Sequence, residues 1–121
     1  MAKVLVIEDN PQNLMLAQLV LEKAGHTVLS AVDGTQGLEL ARQVRPDLVV
    51  LDIQMPGLDG LSVTRLLKQS PLTEGVKVLA LTALAMKGDR ERILAAGCDD
   101  YVAKPFSHVD LIDRISRLLA T

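Results

Sequence analysis

KVLVIED at residues 3–9 and DLVVLD at 47–52 decide the fold. Each is a short run of Val, Leu and Ile, and each ends in acid. Neither alternates apolar with polar, so both faces of such a strand must be covered, as in a parallel sheet between helical layers. Two later runs end the same way: VKVLAL at 76–81 leads to Thr82, and residues 99–103 lead to Lys104. In an open parallel sheet the carboxyl ends of the strands share one edge, and ligands bind there. Four strands would then deliver Glu8, Asp9, Asp52, Thr82 and Lys104 to one cleft.

Helical and strand periods alternate along the rest of the chain. Strands are expected at 3–7, 27–31, 47–51, 76–81 and 99–103, with helices following each, ending near 24, 44, 69, 96 and 119. Asn10-Pro11 opens the first helix, with Asn as cap and Pro where a missing N–H costs nothing, and Gly25 closes it. Arg45-Pro46 closes the second, and Met55-Pro56-Gly57 turns the chain into the third. Five βα units with short right-handed crossovers make an α/β fold. The expected architecture is a doubly wound five-stranded parallel sheet of order 2-1-3-4-5, flavodoxin-like, in three αβα layers. That order sets the strands bearing Glu8-Asp9 and Asp52 side by side. The whole of 1–121 reads as one domain, with no linker, repeat or attached output module.

Composition narrows the classes of function. Nearly half the residues (49%) are apolar, which excludes disorder. A net charge of −2, without a basic block, gives no footprint for a phosphate backbone. Tyr101 and Phe106 are the only aromatics, too few for stacking on bases. No direct nucleic-acid binding is expected. Cys98 is alone in a small-residue helix end, fitting a buried hydrophobe in a reducing compartment. With neither a signal peptide nor an apolar run near 18 residues, a cytoplasmic chain with no membrane contact is expected.

Adjacent strands lie about 4.8 Å apart, so Glu8, Asp9 and Asp52 must share a pocket. Like charges that close raise one another's pKa unless a cation joins them. A hard ion with oxygen ligands resolves the conflict, and Mg²⁺, which keeps waters and bridges to phosphate, suits it. Lys104 offers a compact positive charge and Thr82 a hydroxyl donor to phosphoryl oxygens. Together they describe an aspartyl-phosphate site with Asp52 as nucleophile. Pro105 follows Lys104, and an X-Pro bond costs only about 0.5–1 kcal/mol to be cis, so the backbone can turn sharply here and aim Lys104 inward. Tyr101 reads either as a half-buried strand aromatic or as a side chain whose exposure changes with phosphorylation.

Glu8-Asp9-Asn10, the run from Asp52 to Gly60 (DIQMPGLDG), Thr82-Ala83 and Lys104-Pro105-Phe106 resemble the receiver domain of bacterial two-component response regulators. The likeness covers the chain in order and is closest to the stand-alone, DivK-like single-domain type. It implies that Asp52 accepts phosphate from a histidine kinase or phosphotransfer protein. It further implies that Glu8, acting through water, and Asp9 hold Mg²⁺, with the Gln54 carbonyl as a further ligand. Thr82 and Tyr101 become a coupled switch pair and Lys104 the phosphate partner. Such a protein is not a classical enzyme, yet catalyses its own phosphorylation and slow dephosphorylation. Phosphorylation would alter the surface of helix four, strand five and helix five, which a downstream target or a second receiver could read. A receiver cut from a larger regulator or hybrid kinase would look the same, and a phosphorylation-independent adaptor is the remaining alternative.

Other chemistries fit less well. An Asp-based phosphatase wants a second acid two residues after the nucleophile, where Gln54 stands. No GxxxxGK[ST] is present for a nucleotide, and two acids after strand one would repel a flavin phosphate. On helix one, Asn13, Leu16, Ala17, Val20 and Ala24 are expected to face inward. Met15 and Leu19 fall off that face, either as ordinary exposed apolars or as a docking surface for the phosphodonor. On helix five, Val109, Ile112 and Leu119 are expected inward and Leu111 and Leu118 elsewhere. Helix four, taken as 84–96, would contain Gly88, easing movement at a cost of about 1 kcal/mol.

Overall fold

A computed structural model describes residues 2–83 and 88–120. Five strands, β1 (Lys3–Ile7), β2 (Thr27–Ala31), β3 (Leu48–Asp52), β4 (Lys77–Thr82) and β5 (Asp100–Ala103), alternate with five helices. These are α1 (Pro11–Lys23), α2 (Gly34–Val44), α3 (Gly60–Gln69), α4 (Asp89–Ala95) and α5 (His108–Leu119). All strand pairs are parallel, in the order β2-β1-β3-β4-β5, as the alternation of periods requires.

The period of two along each strand divides the core into two layers. Val4, Val6, Leu48, Val50, Leu79 and Leu81 face α1 and α5, where Ala17, Leu21, Leu111 and Ile115 meet them. Leu5, Ile7, Val49, Leu51, Val78 and Ala80 face the other side, packing with Leu38, Val63, Leu67 and Ile93 of α2, α3 and α4. Both clusters are buried, so β3 is covered along its whole length. Among the described residues no helix is long and apolar enough to cross a membrane.

Helix starts are fixed by side-chain caps at the edge where the strands end. Asn10 Oδ1 accepts from the Gln12 and Asn13 amides, Asp33 from Gln36, Asp59 from Ser62 and Ser107 Oγ from Asp110. Each satisfies donors the helix itself cannot, typically at a gain of ~1 kcal/mol. Gly60 lets α3 begin against the end of β3: a Cβ there would lie 2.5 Å from the Asp52 carbonyl oxygen.

Three expectations about helix faces and limits are corrected. On α1, Leu16 and Ala24 are exposed, while Leu21 joins Ala17 and Val20 in the core. On α5 the buried stripe is Leu111 and Ile115, with Ile112, Leu118 and Leu119 partly covered beside it, and Val109 is 78% exposed. Leu111, Ile115 and Leu118 are spaced i, i+4, i+7, and two residues of offset put Val109 some 160° round from Leu111 by the 100° step. Gly88 does not lie inside α4 but caps it, with φ of 96° in the left-handed region; residues 84–87 of the expected helix fall outside the described residues.

β5 is an edge strand, and its backbone at Tyr101 is bracketed by side chains. The Tyr101 amide donates to Asp100 Oδ1 at 2.8 Å, and its carbonyl accepts from Arg114 Nη1 at 3.1 Å. Arg114 also pairs with Asp100 at 3.0 Å and with Asp110 at 3.3 Å, tying β5 to the first turn of α5.

Candidate functional site

β1 and β3 are neighbours, and their ends bring three carboxylates together. One oxygen from each of Glu8, Asp9 and Asp52 lies within 4.8 Å of the others. Glu8 and Asp52 are 1% and 3% exposed, whereas Asp9 faces solvent. The Glu8 amide donates to Ala31 of β2, holding that residue in line with the strand. Asp52 closes β3, and its Oδ1 accepts the Gln54 amide at 3.1 Å. The Gln54 side chain itself points to solvent.

Lys104 reaches the acids from the far side. Its amide donates to the Thr82 carbonyl at 2.8 Å, which registers the end of β5 on the end of β4. Its Nζ lies 3.0 Å from Asp52 Oδ2 and 3.8 Å from Glu8 Oε1. The Lys104–Pro105 bond is cis. Thr82 is fully buried at the end of β4. Tyr101 is half-buried, and it pairs with Ala80 while Thr82 pairs with Ala103, so the two sit two positions apart in register on adjacent strands.

One side chain in the site was expected on the inward face of helix one but was given no role there. Asn13, in the first turn of α1, donates through Nδ2 to Glu8 Oε1 at 3.1 Å. An amide in the turn after an acidic strand end was the available signal. The inward facing of Asn13 was readable from the helical period, and its contact with Glu8 was not.

The charge balance is unresolved by protein alone. Glu8 Oε2 is buried without a hydrogen-bond partner. Burial, then the adjoining Asp52 carboxylate, pushes the Glu8 pKa from 4.5 up to about 7, against the opposing pull of Asn13 and Lys104. Three acids face one ammonium, and a buried carboxylate oxygen lacks a donor; both deficits are met by a divalent cation with oxygen ligands. The cluster fits such an ion.

Met15 and Leu19 stand out on α1 at 63% and 51% exposed, with Leu16 between them also exposed. Leu16 lines two grooves. One, of about 290 Å³, is completed by Asn13, Lys104, Pro105 and Phe106; the other, of about 220 Å³, by Leu19, Val20, Lys23, His108 and Ile112. Exposed apolar residues thus begin beside the carboxylates and run down the seam between α1 and α5.

A doubly wound sheet with acids at its switch point and a lysine from its last strand defines the class, and the chain belongs to the response regulator receiver domain family, matched over residues 4–116. It is 41% identical to the polar-differentiation response regulator DivK of Brucella anthropi over 116 residues, 96% of this chain and 94% of that protein. Among solved structures it is similar to the receiver domain of a sensor histidine kinase from Pseudomonas aeruginosa, which has a magnesium ion coordinated in its active-site cleft. That likeness has a TM-score of 0.92 at 37% identity, covering 99% of this chain and 98% of that one. The chemotaxis protein CheY4 of Vibrio cholerae superimposes with a TM-score of 0.92 at 26% identity over 98% of both chains.

The chain is therefore a phosphorylation-dependent switch domain with an acidic cluster able to coordinate a divalent metal. Like other receivers it catalyses its own aspartyl phosphorylation and dephosphorylation, and it works with a histidine kinase or phosphotransfer protein and with downstream targets.

Proposed function

We propose that Asp52 is the phosphoacceptor and that Mg²⁺ is the ion, held by Glu8, Asp9, Asp52 and the Gln54 carbonyl. The observation that carries this reading is the Lys104 ammonium 3.0 Å from an Asp52 carboxylate that is buried beside two further acids. An Asp52 oxygen forms the new P–O bond while the P–N bond of a phosphohistidine breaks, its electron pair returning to the imidazole. Mg²⁺, when bound, supplies positive charge to offset the phosphoryl oxygens. Lys104, already paired with the carboxylate, turns its charge to one of those oxygens, and the Thr82 hydroxyl donates to another. Intact-mass or phosphate-label measurement after treatment with a small phosphodonor tests the assignment. Asp52→Asn should take up no label, and undiminished labelling elsewhere would overturn it.

Thr82 and Tyr101 are the switch pair in this reading. Drawing Thr82 toward the phosphoryl group opens room for Tyr101 to rotate inward, altering the α4–β5–α5 surface read by a downstream target or a second receiver. Structures with and without beryllofluoride test it, and unchanged rotamers of both residues would refute the coupling. Met15 and Leu19 form part of the donor-docking surface, because a histidine that reaches Asp52 passes over the strand ends that α1 borders. Residues 1–121 act as one receiver domain in the cytoplasm, where phosphohistidine donors and Mg²⁺ are available.

A further inference from the structure

We propose that Asn13 is a positioning residue that sets the cation preference of the acid cluster by holding Glu8 to a single available oxygen. The inference rests on the cation reading above, and it comes from how the two Glu8 oxygens are used. Oε1 accepts from Asn13 Nδ2 at 3.1 Å and faces Lys104 Nζ at 3.8 Å. Oε2 is buried, without a hydrogen-bond partner. With Oε1 accepting from Asn13 and facing Lys104, Oε2 is the Glu8 oxygen left without a partner, and it is the one that meets an ion or a water on that ion.

That restriction separates two chemically similar cations. Ca²⁺ takes six to eight oxygens in flexible geometry and readily accepts a carboxylate through both of its oxygens, whereas Mg²⁺ demands a near-octahedral set and keeps several waters. A Glu8 held through Oε1 favours contact through one oxygen, which suits the second ion, over the two-oxygen contact that the first readily takes. Asn13 can do this because it is itself well placed. It lies in the first turn of α1, whose start is fixed by Asn10 accepting from the Asn13 backbone amide at 3.1 Å. The side-chain amide is therefore free of capping duty and is presented to β1 by a rigid turn. Removing a partner that orients a metal ligand in this way typically weakens metal binding by roughly ten- to a hundredfold.

The test is titration calorimetry of Mg²⁺ and Ca²⁺ into the parent protein, Asn13→Ala and Asn13→Leu, with melting of each cation-free protein recorded alongside. Asn13→Leu keeps the branched shape, fills the site and removes the amide, so a loss confined to Asn13→Ala would be a packing effect and would overturn the proposal. Both variants should bind Mg²⁺ about tenfold more weakly than the parent, with a smaller loss for Ca²⁺, so that the ratio of the two affinities falls. An unchanged ratio in a parent and variants that all bind Mg²⁺ overturns the role of Asn13 alone. A parent that takes up no Mg²⁺ overturns the cation reading beneath it.

Discussion

At the edge where the strands begin, Lys68 of α3 donates to the Val76 carbonyl at 2.7 Å and to Asp99 Oδ2 at 3.0 Å, and that same oxygen accepts the Val78 amide at 2.8 Å. At the edge where the strands end, Glu8, Asp9 and Asp52 gather, and one Lys104 pairs with Glu8 and Asp52. Both are partly buried polar clusters at strand termini, the first at the starts of β4 and β5 and the second at the ends of β1 and β3 with Lys104 just after β5. In the first, one positive charge meets one negative charge, and the polar groups complete one another. In the second, negative charge is in excess and a buried oxygen has no donor. The first cluster joins a helix to two strands and asks for nothing more. The second is completed only by something that is not protein, and that incompleteness marks it as the working end.

The contrast is sharpest in how stability depends on pH. Glu8 has its folded pKa raised from 4.5 to about 7, so between those values the folded state holds more protons than the unfolded one. Stability therefore falls as pH rises through that window, by at most about 3 kcal/mol once pH passes the upper value. Melting temperatures in chelator should decline from about pH 5 to 8 and recover when Mg²⁺ is added at the alkaline end. A flat profile without metal would remove the claim that the acid edge is strained by its own charge.

Substitution should act with opposite sign at the two edges. Lys68→Ala leaves Asp99 without its ion pair and the Val76 carbonyl without its donor, which should cost about 1–3 kcal/mol while leaving small-phosphodonor labelling intact. Glu8→Gln removes a charge from the acid edge, so in chelator at pH 8 it should melt higher than the parent and bind Mg²⁺ more weakly. Chemical denaturation and calorimetry read both. Destabilisation by Glu8→Gln would mean that the acid cluster, like the lysine node, is there to hold the fold.

The smallest effect lies outside both clusters. Met15→Ala with Leu19→Ala should slow transfer from the cognate kinase, by an amount matching ~1 kcal/mol or more if these side chains are central to the contact. Labelling by a small phosphodonor, which needs no protein surface, should be unchanged. Equal kinase rates would leave both residues as ordinary exposed apolars.

The sheet and the acid cluster were legible because both depend on what lies at strand ends, and strands as apolar as KVLVI and DLVVL have only one way to be covered. Glu8, Asp9, Asp52 and Lys104 needed nothing but the strand order to meet. Asn13 needed more: its contact with Glu8 depends on the angle at which α1 leaves β1, which periodicity does not carry. Facing along α5 failed for a related reason, since the apolar residues from Val109 to Leu119 fit more than one stripe and only packing against β4 and β5 chooses Leu111 and Ile115. Gly88 was misplaced because its positive φ belongs to a helix boundary, and glycine in a sequence does not say which side of that boundary it occupies.

The bracket around Tyr101 limits how this protein can be recognised. An exposed edge strand ordinarily offers free amides and carbonyls onto which an extended peptide can add. At β5 the Tyr101 amide and carbonyl are already engaged by Asp100 and Arg114. A peptide seeking to lengthen the sheet there would have to break a guanidinium–carboxylate pair to find its first hydrogen bond. At Tyr101, then, recognition reads side chains, the kind of surface that a rotating tyrosine can rewrite, and not the uniform backbone that it cannot.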